Sequence, residues 1–283
     1  MSIRIITDSA SDMSEKEYAN LTVLPLTVTF GEEEYQDGVT LSSTEFYKKL
    51  EGCKDLPTTS QVPPIAFEDA IRASLEAGET PIVITLSSKL SGTHNSARLA
   101  AEEFEDKEVY VIDSENVCAG ERIIVEYAMR LIEEGKSAKE VAEAIESVKS
   151  RACLIAAFDT LEYLRRGGRI SNAAGVVGGM LSIKPVLGVK DGALEVLGKA
   201  RGSKNAAHML VQQIEAAGGV DHTMPFVLVY TGLDDTRIRK FAQDNENLWG
   251  KSAEEVKICT VGSTVGTHAG PGAIGAIFFK KEN

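Results

Sequence analysis

Short apolar runs alternate along the chain with longer stretches in which apolar residues recur at helical spacing. Runs of about four to eight apolar residues between turn residues are typical of buried strands, and longer amphipathic stretches are typical of helices. The alternation therefore predicts an α/β architecture. The predicted strands span residues 3–7, 21–30, 81–86, 109–112, 154–158, 183–189, 194–198, 226–231, 256–261 and 273–279, and the predicted helices span residues 14–18, 43–50, 65–77, 93–104, 120–149, 203–217 and 235–245.

The two halves of the chain predict different sheets. Strands separated by helices in the first half predict a mainly parallel sheet, because parallel neighbours need long crossover connections. In the second half, Lys190-Asp191-Gly192 lies between two apolar runs, which signals a hairpin and therefore a mixed sheet. We predict two α/β domains, an N-terminal one over residues 1–150 and a C-terminal one over residues 151–283, although no Pro/Gly/Ser-rich linker separates them.

Composition and charge narrow the class of protein. The chain has 283 residues and a formal net charge of -12, so its surface as a whole repels the phosphate backbone of nucleic acids. The four cysteines are far apart and have no C-x-x-C spacing, so we expect reduced thiols. No leader-like segment opens the sequence and no apolar stretch is long enough to span a bilayer, so we expect a cytoplasmic protein.

Four short polar segments, most of them directly after a predicted strand, are the candidate functional loops. In open α/β sheets, ligands bind beyond the carboxyl ends of the strands. The four segments supply hydroxyls, backbone N–H groups, a histidine and arginines, but no carboxylate pair and no cysteine cluster. This inventory suits the binding of an anionic head group better than bond cleavage. The segments are residues 59–61, 87–93, 165–170 and 266–272.

Two of these segments offer hydroxyl groups next to a helix start. Gly92 permits close approach of a ligand to the backbone, and the amides of the following helix are unpaired donors. Ser91 and Thr93 add hydroxyls, so a carboxylate or a phosphate fits this loop. Thr59 and Ser60 have the same character. The alternative is that these Ser and Thr side chains only cap helices.

The remaining candidates are a histidine, an arginine cluster and an acidic turn. His268 lies in a predicted Gly/Pro-rich loop, where an imidazole can donate to a carboxylate or act as a structural turn residue. Arg169 follows a Gly-Gly turn that can project it outward toward a partner, although a solvated charge run is the usual explanation. Asp8 and Asp12 favour a tight turn with a helix cap over a metal site.

The sequence lacks the phosphate-binding, dinucleotide-binding, nucleophile-elbow and zinc-protease motifs. We therefore expect no catalytic residue, no metal and no cofactor. Taken in order, the polar segments resemble those of the DegV family of bacterial fatty-acid-binding proteins over essentially the whole chain. The segments that carry the resemblance are residues 8–12 (DSASD), 59–61 (TSQ), 87–93 (SSKLSGT), 96–97 (SA), 161–170 (LEYLRRGGRI), 184–185 (KP) and 265–272 (VGTHAGPG).

The resemblance implies a fold of two α/β domains with a long-chain fatty acid bound at their junction. It implies that the carboxylate contacts Thr59 or Ser60, then Ser91 with the amides around Gly92 and Thr93, and His268. It also implies that the acyl chain enters an apolar tunnel. Candidate tunnel residues, each of which can equally be ordinary helix core, are Ile170, Val176, Val177, Met180, Leu181 and Ile183.

The resemblance further implies a partner. Family members that serve as kinase subunits offer the bound fatty acid to an ATP-dependent kinase resembling dihydroxyacetone kinase, which makes acyl-phosphate for phospholipid synthesis. The arginine linked to that interaction corresponds here to Arg169, and membrane contact is expected to be transient at most. Two alternatives stay open, an acyl hydrolase or transferase using Ser91 with His268, and a small-molecule sensor built on the same fold.

Overall fold

The computed structural model describes residues 2–53, 55–170 and 182–282. Within those ranges the strands are β1 (Ser2–Asp8), β2 (Leu21–Leu24), β3 (Thr27–Phe30), β4 (Glu33–Gln36), β5 (Thr58–Ser60), β6 (Glu79–Thr85), β7 (Tyr110–Asp113), β8 (Ala152–Ala157), β9 (Ile183–Lys190), β10 (Ala193–Arg201), β11 (Phe226–Tyr230), β12 (Ile258–Thr260) and β13 (Ile274–Phe279). The helices are α1 (Ser43–Gly52), α2 (Pro64–Glu76), α3 (Thr93–Glu102), α4 (Ala119–Glu133), α5 (Ala138–Val148), α6 (Glu162–Arg166), α7 (Ser203–Ala216), α8 (Thr236–Asp244), α9 (Glu246–Trp249) and α10 (Ser263–Ala269).

The first sheet has four strands in the order β2-β1-β6-β7, and every neighbouring pair is parallel. The prediction of a parallel sheet in the first half is therefore confirmed. Parallel strands present their carboxyl ends at one edge, so the loops after Asp8, Thr85 and Asp113 emerge side by side. The loop after β6 is the predicted segment 87–93.

The second sheet has six strands in the order β10-β9-β8-β13-β11-β12. Only the pair β11–β12 is parallel, so the predicted mixed sheet is confirmed. The predicted hairpin joins β9 to β10. Asp191 (φ 49°) and Gly192 (φ 78°) both have the positive φ that a two-residue hairpin turn with the correct twist requires.

A third, antiparallel sheet of order β4-β3-β5 was not predicted. Pro25 divides the predicted strand 21–30, so that β2 joins the first sheet and β3 joins the third. Thr59 and Ser60 were predicted in a loop, but they belong to β5. This strand pairs with β3, which is distant from it in sequence. A three-residue strand is too short to show an alternating pattern of its own. Its hydrogen bonds also depend on a partner that is distant in sequence.

The predicted loop around His268 is also wrong, because His268 lies in α10. Glycine and threonine residues lower the intrinsic helix propensity of this segment, and tertiary contacts outweigh that preference. The buried Asp37 carboxylate accepts the backbone N–H groups of Ser263 and Thr264, which satisfies the first turn of the helix. Residues 14–18, predicted as a helix, form only a 3-10 turn at Glu15–Glu17.

Helix α4 packs between the two larger sheets and contacts β1, β8 and β13. Ile5, Ile123 and Leu154 accordingly belong to one continuous buried cluster. Separate clusters lie beneath α2 and α3 and beneath α7 and α8. The division of the chain at residue 150 into two domains stays a prediction.

Candidate functional site

A cavity of about 360 Å³ lies between the carboxyl edge of the parallel sheet and one face of the six-stranded sheet. Its volume is within the range of about 300–1,000 Å³ that small-molecule sites occupy. Most of the described residues that line it are apolar, and they come from both sheets. Examples are Leu86, Val117, Leu154, Ala156, Val229 and Ile274.

The polar lining contains six of the seven predicted site residues, which are far apart in sequence. These six are Thr59, Ser60, Ser91, Gly92, Arg169 and His268. The seventh, Thr93, is fully buried behind them and supports Ser91. The cavity thus brings together the residues that the family resemblance predicted to share one site, but their positions do not by themselves assign a role to any of them.

The hydroxyl of Ser91 lines the cavity and also accepts a hydrogen bond at the start of α3. Thr93 N–H donates to Ser91 Oγ over 3.2 Å, and the two side-chain oxygens are 3.0 Å apart. The N-cap of α3 is Gly92, so neither Ser91 nor Thr93 occupies the cap position that was the alternative prediction. A Cβ at position 92 would overlap the side-chain oxygen of Gln61, so Gln61 would have to move to admit a larger residue there. Gln61 Nε2 in turn donates to Ser96 Oγ over 2.8 Å. The loop is therefore rigidly packed against β5.

His268 is held as a neutral imidazole. Its Nε2 lies 2.8 Å from Thr59 Oγ1, and its buried Nδ1 has no hydrogen-bond partner among the described residues. Burial, and then the positive charge of Arg169, lower the pKa of His268 to about 4. Because a buried N–H without an acceptor is rarer than an unused lone pair, we place the proton on Nε2. Nε2–H then donates to Thr59, and the Thr59 hydroxyl proton is free to donate to a ligand.

Arg169 turns inward, which contradicts the predicted outward projection. Its Nε donates to Leu90 O over 3.2 Å and its Nη1 donates to Gly167 O over 2.6 Å. Among the described residues that line the cavity, Arg169 is the only lysine or arginine. The inward geometry follows from these two backbone acceptors, which sequence alone does not reveal. The other two arginines of the cluster, Arg165 and Arg166, are exposed.

Three carboxylates beside the cavity, the buried Asp8 and Asp37 and the half-buried Asp12, make nonlocal contacts that the sequence does not reveal. Asp8 caps its own turn as predicted, by accepting Ala10 N–H, but it also accepts Leu86 N–H over 2.9 Å. Asp12 accepts Gly262 N–H, and Asp37 accepts donors at the start of α10. Burial raises the pKa of the Asp8 carboxyl, and it raises that of Asp12 to about 7.

Only two of the six predicted tunnel residues, Ile170 and Ile183, lie within the described part of the chain. Ile170 is buried in the core and Ile183 begins β9, and neither lines the cavity. The other four candidates, Val176, Val177, Met180 and Leu181, lie outside the described residues.

The described part of the chain contains neither a candidate metal site nor a candidate membrane-spanning helix. Across residues 2–53, 55–170 and 182–282, no group of three or more His, Cys, Asp or Glu side chains could hold a metal ion. No helix within the described part of the chain has both the length and the apolar character needed to cross a bilayer. All four cysteines are free thiols, as predicted.

Comparison with known proteins identifies the family. The DegV family model, described as "Uncharacterised protein, DegV family", matches residues 2–281. A DegV domain-containing protein of Clostridium acetobutylicum is 37% identical, and the match covers 99% of both chains. The chain therefore belongs to the DegV family.

Solved structures show the same architecture. A structure described as fatty acid binding of a DegV family protein from Thermus thermophilus has a TM-score of 0.88 and 31% identity, covering 99% of this chain and 100% of that one. A DegV family protein from Eubacterium eligens, loaded with heptadecanoic acid, has a TM-score of 0.82 and 26% identity, covering 99% of this chain and 100% of that one. The predicted α/β fold class is confirmed.

Proposed function

We propose that this protein binds a long-chain fatty acid in the cavity described above. The observation that carries the proposal is an apolar cavity with neutral hydrogen-bond donors gathered around one part of its wall. Each methylene group buried in such a cavity contributes roughly 0.8 kcal/mol, so a long acyl chain supplies most of the affinity. The fatty acids bound by the Thermus and Eubacterium relatives support the same assignment.

In this proposal the carboxylate of the ligand is held mainly by uncharged hydrogen-bond donors. The Thr59 or Ser60 hydroxyl, the Ser91 hydroxyl and the amides around Gly92 are the proposed partners. His268 orients Thr59, and Arg169 supplies the positive charge of the site. Several such donors together compensate for the burial of a carboxylate.

The geometry favours carriage of the ligand over chemistry on it. His268 contacts Thr59, and Ser91 contacts Thr93, so the pair has no nucleophile–base hydrogen bond. His268 Nδ1 has no orienting carboxylate among the described residues. We therefore propose a non-catalytic subunit, rather than the acyl hydrolase or transferase considered above.

The proposed role is to present the fatty acid to a partner. We propose that a dihydroxyacetone-kinase-like ATP-dependent kinase phosphorylates the carboxylate held at this site, and that the acyl-phosphate enters phospholipid synthesis in the cytoplasm. Arg169 contributes to that step from inside the site, where it also bonds the Ser91 loop through Leu90 O. Membrane contact is transient in this scheme.

The test begins with native mass spectrometry of the purified protein, followed by extraction and identification of any lipid. Palmitic acid affinity is then compared for the wild type, Ser91→Ala and Ser137→Ala. Each serine hydroxyl accepts a backbone N–H at the start of a helix, but Ser137 belongs to α5 and is not among the cavity-lining residues. We expect comparable losses of stability from both variants, and a loss of affinity from Ser91→Ala alone.

The outcomes separate the candidate functions. A stoichiometric co-purified fatty acid and a selective affinity loss in Ser91→Ala support the carrier. A lipid-free protein whose melting temperature does not change on adding palmitic acid contradicts the carrier function. That outcome would favour the small-molecule sensor instead. Turnover of an acyl ester that disappears in Ser91→Ala would establish the enzyme instead.

A further inference from the structure

The turn over residues 8–12 has contacts that the proposed function does not yet explain. It follows β1 at the carboxyl edge of the parallel sheet, and the side chains of Asp8, Ser9, Ser11 and Asp12 are buried or nearly so. Asp8 holds the start of the Ser91 loop through Leu86 N–H. Asp12 holds the start of the helix that carries His268. This short turn is therefore hydrogen-bonded both to the Ser91 loop and to the start of the helix that carries His268.

Asp12 is the more informative of the two aspartates, because both of its carboxylate oxygens accept from elements of the cavity wall. Oδ1 accepts Gly262 N–H over 2.8 Å, directly before α10. Oδ2 accepts the Cys118 thiol over 3.1 Å, and Cys118 itself lines the cavity. The backbone of Asp12 is fixed as well, since Arg122 Nη1 donates to its carbonyl oxygen over 2.8 Å.

We propose that Asp12 is a positioning residue for ligand binding, whose ionised carboxylate holds the α10 N-terminus and the Cys118 wall in the arrangement that binds the fatty acid. This inference rests on the proposed function and deepens it, because it assigns a control of ligand affinity to a residue outside the cavity lining. Asp12 does not contact the ligand in this scheme. It acts through Gly262 and Cys118.

The chemistry of the contacts explains why ionisation matters. Both neighbours are donors, so a carboxylate satisfies both, whereas a carboxylic acid places a third donor among them. Protonation therefore breaks one of the two links. Burial raises the pKa of Asp12 to about 7, which brings this break into the neutral range. The titratable and charged groups that face Asp12 are Asp37 from the loop after β4, Tyr47 of α1, Cys118, Glu121 and Arg122 at the start of α4, and Cys259 of β12.

The test measures palmitic acid affinity at about pH 6 and about pH 8 for the wild type, Asp12→Asn and Asp221→Asn. If the ionised form of Asp12 binds about tenfold more tightly than the protonated form, a pKa of about 7 predicts that the wild type binds roughly fivefold more tightly at about pH 8 than at about pH 6. Asn cannot ionise and mimics the protonated acid. The control residue Asp221 accepts a backbone N–H and pairs with Arg151, but does not line the cavity.

We expect Asp12→Asn to bind about tenfold more weakly than the wild type at about pH 8, and only about twofold more weakly at about pH 6. The ionisation of palmitic acid itself is common to all three proteins and cancels in the comparison. Equal affinity of wild type and Asp12→Asn at both pH values would overturn the inference. Failure of the wild type to bind at all would instead overturn the proposed function.

A second measurement covers the case in which Asp12→Asn does not fold. Carbon-13 NMR titration of the Asp12 carboxyl in the wild type gives its pKa with and without palmitic acid. Because linkage is reciprocal, a ligand that needs the ionised form lowers that pKa by about one unit when the affinity ratio is tenfold. An unchanged pKa on ligand binding would contradict the positioning role.

Discussion

Replacing Asp12 by Asn is expected to stabilise the ligand-free protein above neutral pH, although the same change weakens ligand binding. Burial raises the pKa of the Asp12 carboxyl from 3.8 to about 7. A group whose pKa is higher in the folded state contributes stability that is complete below its unfolded pKa and is lost as pH rises through its folded pKa. For Asp12 that loss occurs between about pH 4 and about pH 7.

The size of the effect follows from the same pKa difference. At about 1.4 kcal/mol per pKa unit, the rise from 3.8 to about 7 amounts to roughly 4 kcal/mol. Asn has nearly the same shape and never ionises, so Asp12→Asn avoids this cost at every pH. Asn, like the protonated acid, loses the hydrogen bond that the carboxylate accepts from the Cys118 thiol, and this loss removes about 1 kcal/mol of the gain. The free energy of unfolding of the variant should therefore exceed that of the wild type by roughly 3 kcal/mol at about pH 8.

Urea denaturation of the ligand-free proteins measures this difference at about pH 4.5 and about pH 8. Asp221→Asn is again the matched control, and its sign is opposite. The pKa of Asp221 is lowered by hydrogen bonds from Thr223 and by Arg151, which outweigh its burial, so its stability contribution is present at neutral pH and is lost in acid. A difference between Asp12→Asn and wild type that does not grow with pH would refute the reasoning.

Three further outcomes are expected at the cavity. Gly92→Ala should lower the free energy of unfolding by about 1–3 kcal/mol in urea titrations, because the added Cβ displaces Gln61 from Ser96; an unchanged value would show that Gln61 moves freely. Arg169→Met should raise the pKa of His268 in NMR titrations, because the positive charge of Arg169 lowers that pKa in the wild type. His268→Ala should weaken palmitic acid binding about tenfold by releasing the hydroxyl group that it orients, and affinity equal to wild type would exclude that role.

The parallel sheet and the β9–β10 hairpin could be predicted because their signals are local. Buried runs separated by helices indicate parallel strands, and Asp191-Gly192 supplies the two positive φ angles of the turn. The same local reasoning placed His268 in a loop. Its helix depends on Asp37, which lies 226 residues from Ser263 in sequence, and no local pattern encodes that contact.

In the candidate site, as in the fold, some features could be predicted from the sequence and others depend on contacts that form only in the folded chain. The family resemblance of the ordered polar segments predicted that Ser91 and His268 lie at one ligand site, and both residues line the same cavity. The direction of Arg169 was not predictable, because it is fixed by carbonyl oxygens of Leu90 and Gly167 that become acceptors only in the folded chain. Whether a loop residue points outward or inward depends on such backbone partners, which periodicity does not describe.

Buried carboxylates at the junction of the two sheets are costly for folding, and this cost is an argument for their function. An amide at position 12 would keep one acceptor for Gly262 N–H and would avoid the cost of ionising a partly desolvated group. A sequence selected for stability alone would therefore gain from Asn at this position. The expected opposite signs of the two effects, greater stability and weaker ligand binding, are what distinguish a positioning residue from a structural one, since loss of a purely structural contact lowers both. If both quantities fall together in Asp12→Asn, the carboxylate serves the fold and not the ligand.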